Sequence, residues 1–223
     1  MKGREKLNGN GIFENRTDAA ILLCKELENY LEEKDSSVVV IAIPRGGVVL
    51  GDVIASYFKL KLDIVISKKI GAPQNPELAI GAVMHDGTFY PNAEIIKIFN
   101  ISQEHITKQI GIKIKEINER LLKFRGNKNY NLKDKTIVLV DDGIATGATM
   151  INAINWIKKH DPRNIIVAIP VAPKDTTEII SKLVKDTIII STPYSFSAVG
   201  EFYRDFSEVD DDQVIKIMSK YKS

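Results

Sequence analysis

The chain has 223 residues but only one cysteine, three histidines and few aromatics, 7% of the total. A single thiol excludes an intrachain disulfide and a cysteine-built metal cluster. Cys24 falls on the apolar face of an expected helix, with no base or electropositive turn beside it, so a buried, unreactive thiol is expected. His85, His105 and His160 lie in a hairpin turn, on a long helix and at a helix end, a spacing that does not suit zinc. Surface or capping roles are expected of all three. Charge of one sign is also missing. Lys and Arg number 31 against 29 Asp and Glu, a formal net charge of +2, and the two signs interleave. That argues against a nucleic-acid-binding face. Apolar runs such as Val38 to Ile43 fall far short of the roughly 18 residues that mark a membrane span. Met1-Lys2-Gly3-Arg4-Glu5 leads into no apolar signal segment. No internal repeat or low-complexity linker is evident. With 44% hydrophobic and 27% charged residues, the expectation is one soluble, reduced, cytoplasmic domain.

The apolar pattern sets the fold class. Ala20, Leu23, Cys24, Leu27, Tyr30 and Leu31 recur at helical spacing and predict a helix from Thr17 to about Glu33. Val38 to Ile43 is a continuous β-branched run, the mark of a strand buried on both faces. Val49 to Phe58 reads as a helix and Leu62 to Ile66 as a strand. Ala79 to Met84 and Thr88 to Tyr90 flank a hairpin turn at His85-Asp86-Gly87. Ser102 to about Phe124 is a long amphipathic helix, expected to pack on the core or on a partner. Ile137 to Val140, Ile165 to Ile169 and Thr187 to Ile190 are further buried strands. Helices near Met150 to Lys159 and Thr176 to Lys185 separate them, and a last helix spans about Asp210 to Tyr221. Alternation of this kind predicts an α/β fold with a mainly parallel sheet covered on both faces.

The most informative segment is Thr136 to Thr149. An apolar strand ends in Asp141-Asp142, a Gly/Thr-rich loop follows, and a helix begins at once. Ligands meet parallel sheets at the carboxyl ends of the strands. Small residues let backbone N–H groups close on a phosphate at the helix N-terminus, and Thr146 and Thr149 add hydroxyl donors. Two carboxylates repel that phosphate. They suit instead the hydroxyls of a sugar, or a metal-bound diphosphate beside it. The loop therefore asks for a sugar phosphate.

This segment resembles the signature for 5-phosphoribosyl-1-diphosphate (PRPP) in type I phosphoribosyltransferases: four apolar residues, two acids, and then Thr146-Gly147-Ala148-Thr149 after a short spacer. Three other blocks extend the likeness. Pro44-Arg45-Gly46-Gly47 ends the first strand and resembles the family's diphosphate loop. Ser67-Lys68-Lys69-Ile70-Gly71-Ala72-Pro73 with Asn75-Pro76-Glu77 follows the second strand, where the family has a basic pair and a flexible flap. By itself it also reads as a surface loop with solvated lysines. Thr192 to Phe206 concentrates aromatics, among them Phe196 and Tyr203, and reads equally as a packed stripe or as a base-stacking hood. Together these blocks look like a group of prokaryotic phosphoribosyltransferases of unassigned acceptor, over about Phe13 to Asp212.

The resemblance implies a single domain over 1–223, with a flap at about 67–92, an inserted helix at about 102–125 and a hood at about 192–223. It implies PRPP and Mg²⁺ as substrate and cofactor, a small nitrogenous acceptor, and a homodimer. Asp141 and Asp142 would bind ribose hydroxyls or metal-bound waters. Gly143 and the Ala145, Thr146, Gly147, Ala148 and Thr149 loop would hold the 5′-phosphate, and Arg45, Gly46, Gly47, Lys68 and Lys69 the diphosphate. Some purine-using members carry an acid at the position of Ala145, where it accepts a proton; Ala145 cannot. A non-catalytic PRPP-sensing regulator is the alternative, and a phosphoaspartate receiver is disfavoured by the Thr-Gly-x-Thr loop.

Overall fold

The computed structural model describes residues 13–221. The segment Met1 to Glu5 and the last two residues of the expected hood lie outside them. In chain order the elements are α1 (Arg16–Leu27), β1 (Val38–Ala42), α2 (Gly46–Phe58), β2 (Lys61–Ile64), β3 (Ser67–Ala72), β4 (Asn75–Met84), β5 (Phe89–Pro91), α3 (Ala93–Ile98), α4 (Gln103–Arg125), β6 (Thr136–Val140), α5 (Ala148–Lys158), β7 (Asn164–Val171), α6 (Lys174–Ser181), β8 (Asp186–Ser191) and α7 (Asp211–Ser219). A 3₁₀ turn spans Val199–Phe202.

Five parallel strands form the main sheet in the order β2-β1-β6-β7-β8. Alternate residues of each strand serve opposite faces, as pleating requires. Val38, Val40, Ala42, Val138 and Val140 join Leu23, Leu50 and Ile54 in one core layer. Val39, Ile41, Ile137, Leu139 and Val167 join Ile154, Trp156 and Ile157 in the other. A fully buried Val or Ile contributes roughly 1.5–3 kcal/mol, and two covered faces explain why β1 tolerates no polar residue. The expected α/β class and doubly covered sheet are as read from the pattern. Cys24 is buried in the first layer, and burial, with Glu28 nearby, pushes its thiol up to about 12.

Several boundaries move. Helix α1 stops at Leu27 rather than Glu33, because the Asn29 side chain donates to Glu26 O and Tyr30 N turns back to Leu27 O. Helix α2 begins three residues early, on the glycines themselves. Helix α6 ends at Ser181. The expected loop at Ser67 to Glu77 is ordered as strands: β3 and β4 pair antiparallel through a tight turn at Pro73-Gln74, and β5 adds a third strand. The alternation of the Lys-Lys-Ile-Gly-Ala run is too short to read as a strand; cross-strand pairing decides it. Helix α4 buries Ile106, Ile117, Leu121 and Phe124 within the first core layer and packs on β3, β4 and α7.

His85 overturns the expectation of a surface role. It is half-buried, with its ring 5.1 Å from Tyr130 and 5.2 Å from Trp156. Trp156 donates to Asp86 Oδ2 at 3.0 Å, so the hairpin turn is clamped onto α5. His105 Nε2 lies 3.2 Å from Gly71 O and ties α4 to the hairpin, while His160 Nδ1 lies 3.1 Å from Trp156 O at a helix end, as a capping residue should.

Candidate active site at the carboxyl edge of the parallel sheet

Strands β1 and β6 are in register from Val38↔Thr136 to Ala42↔Val140, so their following loops leave the sheet at one level. Ile43 N still donates to Val140 O at 3.0 Å, which draws the Pro44–Gly47 turn against Asp141 and Asp142. The approach is close. A Cβ on Gly46 would lie 1.7 Å from Asp142 Oδ2, and one on Gly47 2.9 Å from the Asp141 Cα. Glycine is required at both places by the neighbouring acids. The Pro44–Arg45 peptide bond is cis.

The loop after β6 is held from several sides. Asp142 N donates to Asp141 Oδ1 at 2.9 Å, Ile144 N to Val171 O at 3.0 Å, and Thr176 Oγ1 to Ala145 O at 3.0 Å. Gly147 takes φ +76°, a left-handed conformation that side chains resist, and serves as the N-cap of α5. No side chain caps that helix. Its first backbone N–H groups thus stay open toward exposed Ala145 and Thr146, the arrangement that receives a phosphate. Gly143 packs under Val199 of the 3₁₀ turn.

Electrostatics divide the two acids. Burial and the adjacent Asp142 carboxylate push the Asp141 carboxyl well above its ordinary range. Asp142 instead receives Arg16 Nε at 2.8 Å, with side chains 15% and 11% exposed respectively. Arg16 also donates from Nη1 to Ser207 O at 2.8 Å and lies 3.9 Å over the Phe206 ring. Sequence reading missed Arg16. It lies 126 residues from Asp142 and sits in no motif; the only local signal is the helix start, where Asn15 caps α1 through Asp18 N.

The cations expected at a diphosphate are present but engaged. Arg45 Nη2 pairs with Glu208 Oε1 at 2.5 Å, and Nη1 lies 4.0 Å from Asp211. Lys68 pairs with Glu116 of α4 at 3.0 Å. Arg120 and Lys123 also converge on Asp211, at 3.1 and 2.9 Å. Arg45, Lys68, Glu116, Arg120, Lys123 and Asp211 line a cleft of about 480 Å³. Lys69 is exposed, and as neighbours on β3 Lys68 and Lys69 point to opposite faces, so the structure does not bring them together.

Of the hood aromatics, Tyr203 is packed inside. It is 6% exposed, lies between Phe13 at 5.2 Å and Phe206 at 4.9 Å, and donates its hydroxyl to Asp142 O at 2.5 Å. Its face is not free to stack on a base, and the packed-stripe reading applies to it. Burial and the nearby acids push its phenol above the ordinary range. Phe196 is half-buried and stacks on Phe202 at 5.2 Å. Oxygen donors are present for a hard cation, but among the described residues no group of three or more His, Cys, Asp or Glu is placed to hold one. None of the described helices is long and apolar enough to cross a membrane.

Known proteins resemble this chain in sequence and in fold. Two Mycobacterium tuberculosis proteins, MT0597 of strain CDC 1551 / Oshkosh and Rv0571c of strain ATCC 25618 / H37Rv, are each 30% identical over 210 residues, 94% of this chain. Their names give phosphoribosyl transfer as a provisional activity. The chain spans about half, 47%, of the length of each of these curated relatives. The crystal structure of TT1426 from Thermus thermophilus superposes with a TM-score of 0.80 at 33% identity, covering 95% of this chain and 100% of that one. The family described as "Phosphoribosyl transferase domain" matches residues 15–206, from the start of α1 to Phe206, and this chain belongs to it.

Proposed function

We propose that the chain is an enzyme that transfers the 5-phosphoribosyl group of PRPP to a nitrogenous acceptor, a nucleobase or an amine, and releases diphosphate. One observation carries the reading: the uncapped N-terminus of α5 and the Asp141-Asp142 pair share a loop that abuts the Arg45-Gly46-Gly47 turn. A backbone anion cradle, two acids and a guanidinium stand side by side, which supports a reading in which they meet the 5-phosphate, the ribose and the diphosphate respectively.

In this reading the backbone from Ala145 to Thr149 holds the 5-phosphate and the acids hold the ribose hydroxyls. The anomeric C–O bond breaks with oxocarbenium character, the electron pair leaves with diphosphate, and the acceptor nitrogen bonds to the anomeric carbon from the opposite face. Arg45 and Lys68 stabilise the charge that develops on the leaving group. Asp141 and Asp142, with no third such ligand among the described residues, would suit a Mg²⁺ ion held through its own waters. Bound there, Mg²⁺ would neutralise part of the diphosphate charge. Ala145 offers no proton acceptor, and Glu77 and Glu201 are the exposed candidates for that role.

The test is diphosphate release from PRPP and Mg²⁺ across a panel of bases and amines, beside an Asp141→Asn/Asp142→Asn variant. Acceptor-dependent release that the variant loses is the expected result. Tight PRPP binding without release for any acceptor would favour the regulator, and no PRPP binding would overturn the reading.

A further inference from the structure

The Arg16–Asp142 pair is built from parts that a surface ion pair does not have. Both side chains are nearly enclosed, at 11% and 15% exposure. The arginine is fixed at three points: Nε on Asp142, Nη1 on Ser207 O, and its plane over Phe206. The segment that carries it is locked to the hood by backbone bonds, Phe13 N to Phe202 O at 2.7 Å, Arg204 N to Phe13 O at 2.9 Å and Asp205 N to Glu14 O at 2.9 Å. The acid is fixed as well, since Tyr203 donates to its carbonyl. Against the same oxygen packs Gly46, whose absent Cβ would lie 1.7 Å from Asp142 Oδ2 and 2.9 Å from Arg16 Nε. Start of α1, diphosphate turn, acidic loop and hood therefore converge on one carboxylate.

The charges give that convergence a purpose. Two adjacent carboxylates at the mouth of a site for a polyanion repel each other and the substrate. A guanidinium at 2.8 Å offsets one of them and fixes the direction of its carboxylate.

We propose that Arg16 is a positioning residue for phosphoribosyl transfer: anchored in the hood, it fixes the direction in which the Asp142 carboxylate meets the ribose hydroxyls. The assignment rests on the PRPP-dependent reading above. It predicts that the hood and the acidic loop act as one unit. Its role is therefore distinct from that proposed for Arg45, whose guanidinium pairs with Glu208 at the cleft.

The test is steady-state kinetics of Arg16→Met, Arg16→Lys, Asp142→Asn and the Arg16→Met/Asp142→Asn double variant, with PRPP binding measured by calorimetry and folding checked by thermal melting. Arg16→Met should lose about tenfold or more in kcat/KM for PRPP, carried mainly by KM, as expected when a charge-assisted bond that orients a binding group is removed. Arg16→Lys keeps the charge but not the fork, and should recover only part of the loss. In the Asp142→Asn background Arg16→Met should cost little more, because the effect passes through that acid. If Arg16→Met does not fold, the cycle with Arg16→Lys decides in the same way. A folded Arg16 variant with wild-type KM and kcat, or losses that simply add, would overturn the assignment while wild-type PRPP binding still stood. A wild-type chain that binds no PRPP would overturn the functional reading and this assignment together.

Discussion

The acidic loop and the β3–β4 hairpin are both expected to touch the same substrate, yet they are built on opposite terms. The acidic loop hangs from the buried strand β6, is braced by Thr176, Tyr203 and Arg16, and packs so closely on the Pro44–Gly47 turn that Gly46 has no room for a methyl group. On the side proposed for the diphosphate the cations sit on side chains about one-third exposed, balanced by acids from elsewhere in the chain: Lys68 of the hairpin by Glu116, and across the cleft Arg45 by Glu208 and, at 4.0 Å, Asp211. Exposed pairs of that kind are worth little and exchange readily. The side proposed for the ribose and 5-phosphate is preformed, whereas the side proposed for the diphosphate is held by exchangeable ion pairs.

The comparison breaks most visibly if the tight half tolerates change. Gly46→Ala should cost about 100-fold or more in diphosphate release, because its methyl displaces the Asp142 carboxylate by about an ångström or more; melting should show that the fold persists. Asp141→Asn sharpens the same point from the stability side. Asp141 titrates above its ordinary range in the folded protein, so the stability linked to it is present at low pH and lost as pH rises through the folded value. Removing the buried charge should therefore stabilise the unliganded protein at neutral pH by about 1 kcal/mol, a rise of about 2–4 °C in Tm, while activity is lost.

The loose half predicts smaller changes of opposite sign. Glu208→Gln frees Arg45 and should tighten PRPP about two- to fivefold, an advantage that shrinks in high salt; weaker binding would show that Glu208 supports the site instead. Least of all, the hairpin turn should titrate. Burial lowers the His85 pKa, so its contribution to stability is complete above the ordinary histidine value near 6.5 and is lost as pH falls through the lower folded value. Thermal melting between about pH 7.5 and 5 should show a decline that His85→Phe reduces by no more than about 2 °C.

Much of the site was legible because it is local. Strand, two acids, Gly/Thr loop and helix lie within 14 consecutive residues, Thr136 to Thr149, and each carries its own chemical signal. The Arg45-Gly46-Gly47 turn was legible for the same reason. The hairpin was not: β-pairing of Lys68 with Val83 is a long-range event that propensity does not report. Nor was Tyr203, whose aromatic ring looks the same in sequence whether it stacks on a ligand or supports a carbonyl.

The sequence by itself determined the α/β class, the buried parallel strands and the acidic and glycine loops, since apolar periodicity and turn chemistry act over a few residues. Only the tertiary structure decided which charges meet. Arg16 with Asp142 and Arg45 with Glu208 join residues 126 and 163 positions apart, and Lys68 with Glu116 joins β3 to α4. Their encounter depends on how α1, α4 and the start of α7 pack around the sheet, because an ion pair has no preferred sequence separation, only a distance.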